Sequence, residues 1–289
     1  MGHRSTWSFR DPRATEWVGE HRPELLDLTP VFGGLAELSP APEIPLEAWR
    51  AALPPEVHLI ARLGPRTVHV HQKGAGTEHF VLKLSLPRDG SSLRRIAERA
   101  RRSRAQRAYL WAHRLRALGI ETPRPLGFLE RAHAPAAHAS FSVTEYIFAP
   151  SLIELRDGRL LAGIAPGNLG EKRALLRRVA DLFARLHARG LFHGDLHAGN
   201  LLVQEGALLV IDLESFRTVR LPRRALTKNL VRLNRDFLDT RQLSTTDRLR
   251  FLDAYLRHQP GRRALRRDLF LRLSEATQAK LRDRGEAFQ

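Results

Sequence analysis

The sequence predicts an α+β protein with a strand-rich first half and a helix-rich second half. Short segments of alternating polarity lie between residues 56 and 147, helical periodicity dominates after Pro150, and no internal repeat is evident. Strands and helices that are segregated along a chain favour α+β over alternating α/β architecture. The chain has 289 residues, enough for a substantial core and for two lobes that share a cleft.

Two of the predicted strands, Thr67–His71 and Glu78–Leu86, alternate in polarity, and turns at Gly64-Pro65 and at 73–76 separate the first three strands. Lys83 lies on the third strand, on the face opposite Phe80 and Leu82. An arginine-rich helix is expected over residues 91–118, with Gly119 as its C-cap. The strands are expected at Val57–Leu63, Thr67–His71, Glu78–Leu86, Leu126–Arg131 and Ser140–Ile147.

Three parts of the chain are expected from these patterns. Residues 1–54 lack sustained periodicity and are interpreted as an N-terminal extension with a short helix near Leu46–Leu53. Residues 55–147 form the first lobe and residues 148–289 the helical second lobe. Helices of the second lobe are expected at Glu171–Arg189, Arg223–Phe237, Thr245–Arg257 and Arg262–Arg282.

Composition limits the classes of function. The chain has no Cys, which excludes disulfides, thiolate metal sites and a thiol nucleophile. It has no apolar leader and no apolar run of membrane-spanning length, so a cytoplasmic protein is expected. The formal charge of +17 fits either a coding bias toward Arg or attraction to polyanions. The charge is the only feature of the sequence that suggests binding to nucleic acid, so nucleic acid is not an expected partner.

The segment from Leu191 to Glu214 contains the candidate catalytic and metal-binding residues. Two apolar runs, 201–203 and 207–211, flank a turn at Gln204–Gly206 and predict a hairpin. Asp195 and Asn200 precede the hairpin and Asp212 follows it, so these three residues should converge at one end. Mg²⁺ prefers such hard oxygen ligands, and phosphoryl transfer needs both a metal and a carboxylate that accepts a proton.

The loop His193-Gly194-Asp195-Leu196-His197-Ala198-Gly199-Asn200 resembles the catalytic loop of kinases such as the aminoglycoside phosphotransferases. Ile211-Asp212-Leu213-Glu214 stands where protein kinases carry Asp-Phe-Gly, but no Gly follows Asp212. Further segments, 115–123, 229–234 and 248–255, resemble the lipopolysaccharide core kinase family, which phosphorylates heptose or 3-deoxy-manno-octulosonic acid. The resemblance covers roughly residues 57–257.

This resemblance implies a two-lobed protein-kinase-like fold and an ATP-dependent kinase that phosphorylates a sugar hydroxyl of lipopolysaccharide core or a related glycolipid. Asp195 would be the catalytic base, with Asn200 and Asp212 as ligands of Mg²⁺. The nucleotide would be bound by Lys83, by the turn residues Arg66 and Thr67, and by the hinge residues Glu145 and Ile147. An anionic glycolipid or sugar acceptor is expected, with peripheral association at the inner face of the cytoplasmic membrane.

Two other functions stay open. A kinase of a soluble, aminoglycoside-like molecule would use the same loop, although its acceptor is cationic and the basic charge disfavours it. A nucleotide-binding pseudokinase is the third hypothesis. In the family, a helix Glu pairs with the strand lysine; counted back from Gly119, that position is Ala108, and Glu98 is the alternative on the same expected helix.

Overall fold

The structure is a computed structural model that describes residues 5–10, 16–21, 28–73, 77–87, 102–133, 138–156, 169–219, 223–237, 243–257 and 262–282. The chain divides into two compact units, Met1–Ile147 and Phe148–Gln289. Among the described residues, no helix is both long enough and apolar enough to cross a membrane.

The first unit contains an antiparallel sheet, whose strands are not in sequence order. Within the described residues it has seven strands in the order β1-β2-β6-β7-β5-β4-β3. Every neighbouring pair is antiparallel. The strands are β1 (Ser5–Arg10), β2 (Glu16–His21), β3 (Val57–Gly64), β4 (Thr67–Lys73), β5 (Thr77–Ser85), β6 (Pro125–Arg131) and β7 (Ser140–Glu145).

The N-terminal segment is more structured than the expected extension over residues 1–54. Strand β2 pairs with β6, and the helices α1 (Thr29–Glu37) and α2 (Leu46–Ala52) contribute to the main core. Phe32 and Trp49 are fully buried, and Trp49 packs edge-on against Phe141 with 6.3 Å between ring centroids. Residues 28–54 therefore contribute to the core of the first unit, which the interpretation as an N-terminal extension did not include.

The helix expected over residues 91–118 is shorter than the prediction. Helix α3 spans Arg104–Ala117, and Ser103 caps it by accepting a hydrogen bond from the Gln106 amide. Because Ser103 has an extended backbone, the prediction of one continuous helix from residue 91 to residue 118 is wrong. Ala108 lies on α3, whereas Glu98 precedes the cap and lies outside the described residues.

In its described residues the second unit combines helices with two short antiparallel strand pairs, β8–β11 and β9–β10. One 3₁₀ turn precedes β9 and another precedes β11. The elements are α4 (Leu152–Arg156), α5 (Leu169–Ala188), β8 (Leu191–His193), the turn Ala198–Asn200, β9 (Leu201–Gln204), β10 (Ala207–Val210), the turn Leu213–Ser215, β11 (Phe216–Thr218), α6 (Arg223–Arg235), α7 (Thr245–Tyr255) and α8 (Arg262–Arg282).

Helices α5 and α7 are joined by polar contacts as well as by packing. Ser244 and Asp247 form a capping box at the start of α7, and Lys172 of α5 lies 2.6 Å from the Asp247 carboxylate. Burial would raise the pKa of Asp247, but hydrogen bonds from Lys172 and Ser244 outweigh it and lower this pKa to about 2. Farther along, His187 Nδ1 lies 2.9 Å from the Tyr255 hydroxyl.

His187 should make the protein less stable as the pH falls. Burial lowers its pKa to about 4, whereas an unfolded His titrates near 6.5. Between these values the unfolded state binds a proton that the folded state does not, so stability is complete above pH 6.5 and declines toward pH 4, by about 3 kcal/mol in total. Denaturant unfolding of wild type and His187→Gln across this pH range should give a smaller decline for the variant. Equal declines would contradict the assignment.

Candidate functional site

The hairpin that the sequence predicts is confirmed as the antiparallel pair β9–β10, in which Val210 lies opposite Leu201. Its turn has positive φ at Glu205 (48°) and Gly206 (82°), as a two-residue hairpin turn requires. Glycine adopts this conformation without a steric penalty. The tight turn brings the entry and the exit of the hairpin to the same end.

Asn200 and Asp212 lie at that end. The Ile211 amide, directly before Asp212, donates to the Asn200 carbonyl at 3.1 Å. The Asn200 side chain is buried, and its Nδ2 donates to the main-chain oxygen of Asp195 at 2.8 Å. This bond orients the side-chain amide and leaves its Oδ1, a hard oxygen, able to accept from or bind another group. The three residues thus belong to one hydrogen-bonded arrangement.

His193 connects the loop to the segment before Asp212. Its ring is fully buried and packs edge-on against Phe216. Nδ1 accepts from the Asp195 amide at 2.9 Å, so the ring proton lies on Nε2, which donates to the Ile211 carbonyl at 3.1 Å. Burial lowers the pKa of His193, although the Ile211 carbonyl and the carboxylates of Asp212 and Asp195 oppose this shift. A neutral His193 therefore links the Asp195 amide to the Ile211 carbonyl.

Gly194 allows the loop to approach the turn before β11. Its amide donates to the Ser215 carbonyl at 3.2 Å, and a Cβ at this position would lie 3.1 Å from the Ser215 Cβ. The Ser215 hydroxyl also lies 3.1 Å from His193 Nδ1. A larger residue at 194 would separate these two segments and shift Asp195.

Asp212 has a left-handed backbone, with φ 60° and ψ 52°. Asp and Asn enter this region more readily than most residues, at a cost of about 1 kcal/mol. Such a conformation persists where the surrounding structure enforces it, and it is concentrated at functional sites. It turns the chain sharply between β10 and the 3₁₀ turn Leu213–Ser215.

The Asp195 carboxylate is flanked by two basic side chains and is 57% exposed. Arg232 Nη1 lies 3.6 Å from its Oδ1 and also donates to the Gly194 carbonyl. His197 Nε2 lies 3.9 Å from its Oδ2. His197 Nδ1 accepts from the Gly199 amide at 3.1 Å, which puts the His197 proton on the nitrogen nearer Asp195. An exposed carboxylate in this setting can receive a proton from a bound hydroxyl.

Asp236 anchors the other end of the loop. Its Oδ2 accepts a hydrogen bond from the Ala198 amide at 2.7 Å, and its side chain is only 10% exposed. Ala198 begins the 3₁₀ turn that ends at Asn200, so this bond fixes the turn. Sequence reasoning assigned no role to Asp236 or Arg232. The sequence did contain one signal: the two residues are four positions apart in an expected helix, which indicates that their side chains lie on the same face.

Removing the Asp236 carboxylate should impair the loop. Asp236→Ala leaves the Ala198 amide without its partner, a loss of about 1–3 kcal/mol in the free energy of unfolding. If Asp195 is the catalytic base that the sequence predicts, we expect kcat to fall about tenfold or more, since displacement of the loop misplaces reacting groups. Asp236→Asn retains an accepting oxygen and should restore most of the rate. If Asn is as damaging as Ala, the carboxylate acts by charge and not by holding the amide.

The residues predicted to bind nucleotide lie in the first unit. Lys83 is on β5, where it pairs with Thr67 of β4. The Arg66 carbonyl accepts from the Leu84 amide at 2.9 Å, which fixes the turn between β3 and β4. Glu145 ends β7, and its carboxylate accepts from the Arg124 amide at 3.1 Å. Ile147 follows β7 by two residues.

Aromatic rings cover the sheet face that bears Lys83. The Tyr146 ring stacks on His69 with 3.6 Å between centroids, and His69 Nε2 lies 3.0 Å from His79 Nδ1. His71 stacks on His79 in turn, at 4.7 Å. Burial, followed by repulsion from His79 and His71, lowers the pKa of His69. Tyr146 is thereby held between the two predicted hinge positions.

Comparisons with known proteins show the family of the chain. The sequence profile of the "Lipopolysaccharide kinase (Kdo/WaaP) family" matches residues 91–255. A "Lipopolysaccharide core heptose(I) kinase WaaP" of Escherichia coli strain K12 is 30% identical over 162 residues, which cover 52% of this chain and 59% of that relative. A second Escherichia coli protein of the same description is 31% identical over 193 residues, covering 62% of this chain and 70% of the relative.

A solved structure described as "WaaP in complex with acyl carrier protein" has the same fold. Its TM-score is 0.56 at 24% identity, and the match covers 82% of this chain and 97% of that one. The protein-kinase-like fold expected from the sequence is confirmed. Since the family profile spans more than half of the sequence, the chain belongs to the lipopolysaccharide kinase (Kdo/WaaP) family.

Proposed function

We propose that this protein is an ATP-dependent kinase that transfers the γ-phosphate to a sugar hydroxyl of lipopolysaccharide core or a related glycolipid. The observation that carries this proposal is the arrangement of Asp195, Asn200 and Asp212 in one hydrogen-bonded loop and hairpin. Membership of the lipopolysaccharide kinase family supports the class of acceptor. The first of the two kinases named above is matched over only 59% of its length, so its acceptor is extended to this chain as part of the proposal.

In this proposal Asp195 orients the acceptor hydroxyl and takes up its proton. The Asp195 carboxylate is exposed and leaves room for an acceptor. The Asp195 main chain is held in position because its amide donates to His193 and its carbonyl accepts from Asn200. Lys83, Arg66, Thr67, Glu145 and Ile147 remain the residues predicted to bind the nucleotide.

The donor set at the hairpin fits Mg²⁺. Within the described residues, no group of three His, Asp or Glu side chains could hold a metal ion alone. Mg²⁺, however, usually binds through one or two protein oxygens together with water and substrate phosphates. The Asp212 carboxylate and the Asn200 Oδ1 supply two such oxygens, since the Asn200 nitrogen is engaged with Asp195. The ion would neutralise phosphate charge when bound.

The basic charge supports an anionic acceptor. A net charge of +17 favours glycolipids that bear carboxylates or phosphates over cationic aminoglycosides. It also favours peripheral association with an anionic membrane surface, which for a core-sugar kinase would be the inner face of the cytoplasmic membrane. Both the acceptor charge and this location belong to the proposal.

Phosphate transfer from labelled ATP tests the proposal directly. The full chain is incubated with Mg²⁺, γ-labelled ATP and either a deacylated lipopolysaccharide core oligosaccharide or an aminoglycoside. We expect label on the oligosaccharide alone. Label on the aminoglycoside alone would favour the soluble-acceptor kinase. Nucleotide binding without transfer to either acceptor would favour the pseudokinase.

A further inference from the structure

Three cations lie along one side of α6, and the middle one contacts the loop that contains Asp195. Lys228, Arg232 and Arg235 are spaced four and three residues apart, so they are neighbours on the helix surface. We call these three residues the α6 basic stripe. Its middle member, Arg232, contacts the loop at Gly194 and Asp195.

The protein only partly neutralises the α6 basic stripe. The Arg235 guanidinium lies 4.0 Å from the Asp236 carboxylate, at the limit of an ion pair, and Asp236 is already engaged with the Ala198 amide. Lys228 is exposed, and no ion pair joins it to any other residue that the structure describes. Like charges at this spacing repel each other along a helix. An anion that binds between them would relieve that repulsion.

Arg232 has hydrogen-bonding capacity beyond its contacts with the loop. A guanidinium has five N–H donors, and among the residues that the structure describes only Nη1 contacts protein groups, the Gly194 carbonyl and Asp195 Oδ1. The Arg232 side chain is 35% exposed, so its other nitrogens can reach a ligand. Planar guanidinium groups bind carboxylates and phosphates through two parallel hydrogen bonds.

We propose that the α6 basic stripe binds an anionic group, a carboxylate or a phosphate, on the acceptor whose hydroxyl Asp195 activates. This inference rests on the proposed function. The acceptor is favoured over ATP as the source of the anion because Arg232 contacts the base itself, and the base is the group that meets the acceptor. The stripe would select acceptors that carry negative charge close to the reacting hydroxyl.

A matched pair of acceptors tests the stripe. One is the deacylated core oligosaccharide with its anionic groups; the other is the same oligosaccharide after reduction of its carboxylates to alcohols and removal of its phosphates. We expect wild type to have the higher kcat/KM for the charged acceptor. In the double variant Lys228→Gln, Arg235→Gln, this preference should fall about tenfold or more, since the loss of even one charge-assisted hydrogen bond costs about that factor.

Arg173→Gln on α5 is the control, because it removes an exposed cation elsewhere in the same unit and should keep the preference. Equal losses on both acceptors in the double variant, or no preference in wild type, would overturn the inference. If wild type transfers phosphate to neither acceptor, the proposed function fails. Calorimetric binding of the charged oligosaccharide then decides separately: weaker binding by the double variant supports the stripe, and unchanged binding overturns it.

Discussion

Replacing Asp195 with alanine is expected to abolish phosphate transfer while nucleotide binding is retained. A positioned general base contributes about 10²–10⁴-fold to rate, and kcat should fall by at least this range. The variant should fold, because the loop is held through the main chain of Asp195 by His193 and Asn200, and its carboxylate is exposed. Label transfer to the core oligosaccharide measures the rate, and a fluorescent ATP analogue measures nucleotide affinity.

Asp268→Ala is the matched control for this experiment. Asp268 is also an exposed aspartate paired with an arginine, Arg272, but it lies on α8 away from the loop. It should retain wild-type kcat. An Asp195→Ala enzyme that keeps most of its activity would exclude Asp195 as the base, and a parallel loss of nucleotide affinity would place it among the nucleotide-binding groups instead.

The candidate catalytic loop, residues 193–200, and its hairpin could be predicted because their signals are local. The turn at Gln204–Gly206 is flanked by two apolar runs, and this pattern alone determines that Asn200 and Asp212 meet. The residues that hold the loop in place could not be predicted in this way. Asp236 and Arg232 contact residues 38 positions earlier in the chain, and only tertiary packing brings them there.

The first unit shows the same division between local and distant signals. The strands from β3 to β7 lie close to their predicted positions, because turn residues bound them and β4 and β5 alternate in polarity. In contrast, β2 pairs with β6 more than 100 residues away, and the helical spacing of Val31, Phe32 and Leu35 in α1 extends over only 9 residues. The start of α3 had a local signal: Ser103 and Gln106 have the spacing of a helix N-cap pattern. The surrounding arginines fit a helix equally well and obscured it.

Replacing Asp212 with asparagine should remove activity at ordinary Mg²⁺ concentrations. Asparagine tolerates the left-handed backbone at this position, so the variant loses the negative charge but keeps the turn. A charged group that acts on the transferring phosphate is worth about 10²–10³-fold in kcat, and a comparable fall is expected. The Mg²⁺ concentration that gives half-maximal rate should rise, which a titration of transfer rate against Mg²⁺ measures.

Glu205→Gln provides a closely matched control for Asp212→Asn. Glu205 is also an acidic residue with a positive φ in the same hairpin, but it lies in the turn, at the opposite end from Asn200. Both variants remove one negative charge from the hairpin, so a general effect of charge would reduce activity in both. We expect the loss and the altered Mg²⁺ dependence only in Asp212→Asn. An unchanged Mg²⁺ dependence in that variant would show that Asp212 acts through the conformation of the turn, and the metal site would have to be sought among other residues.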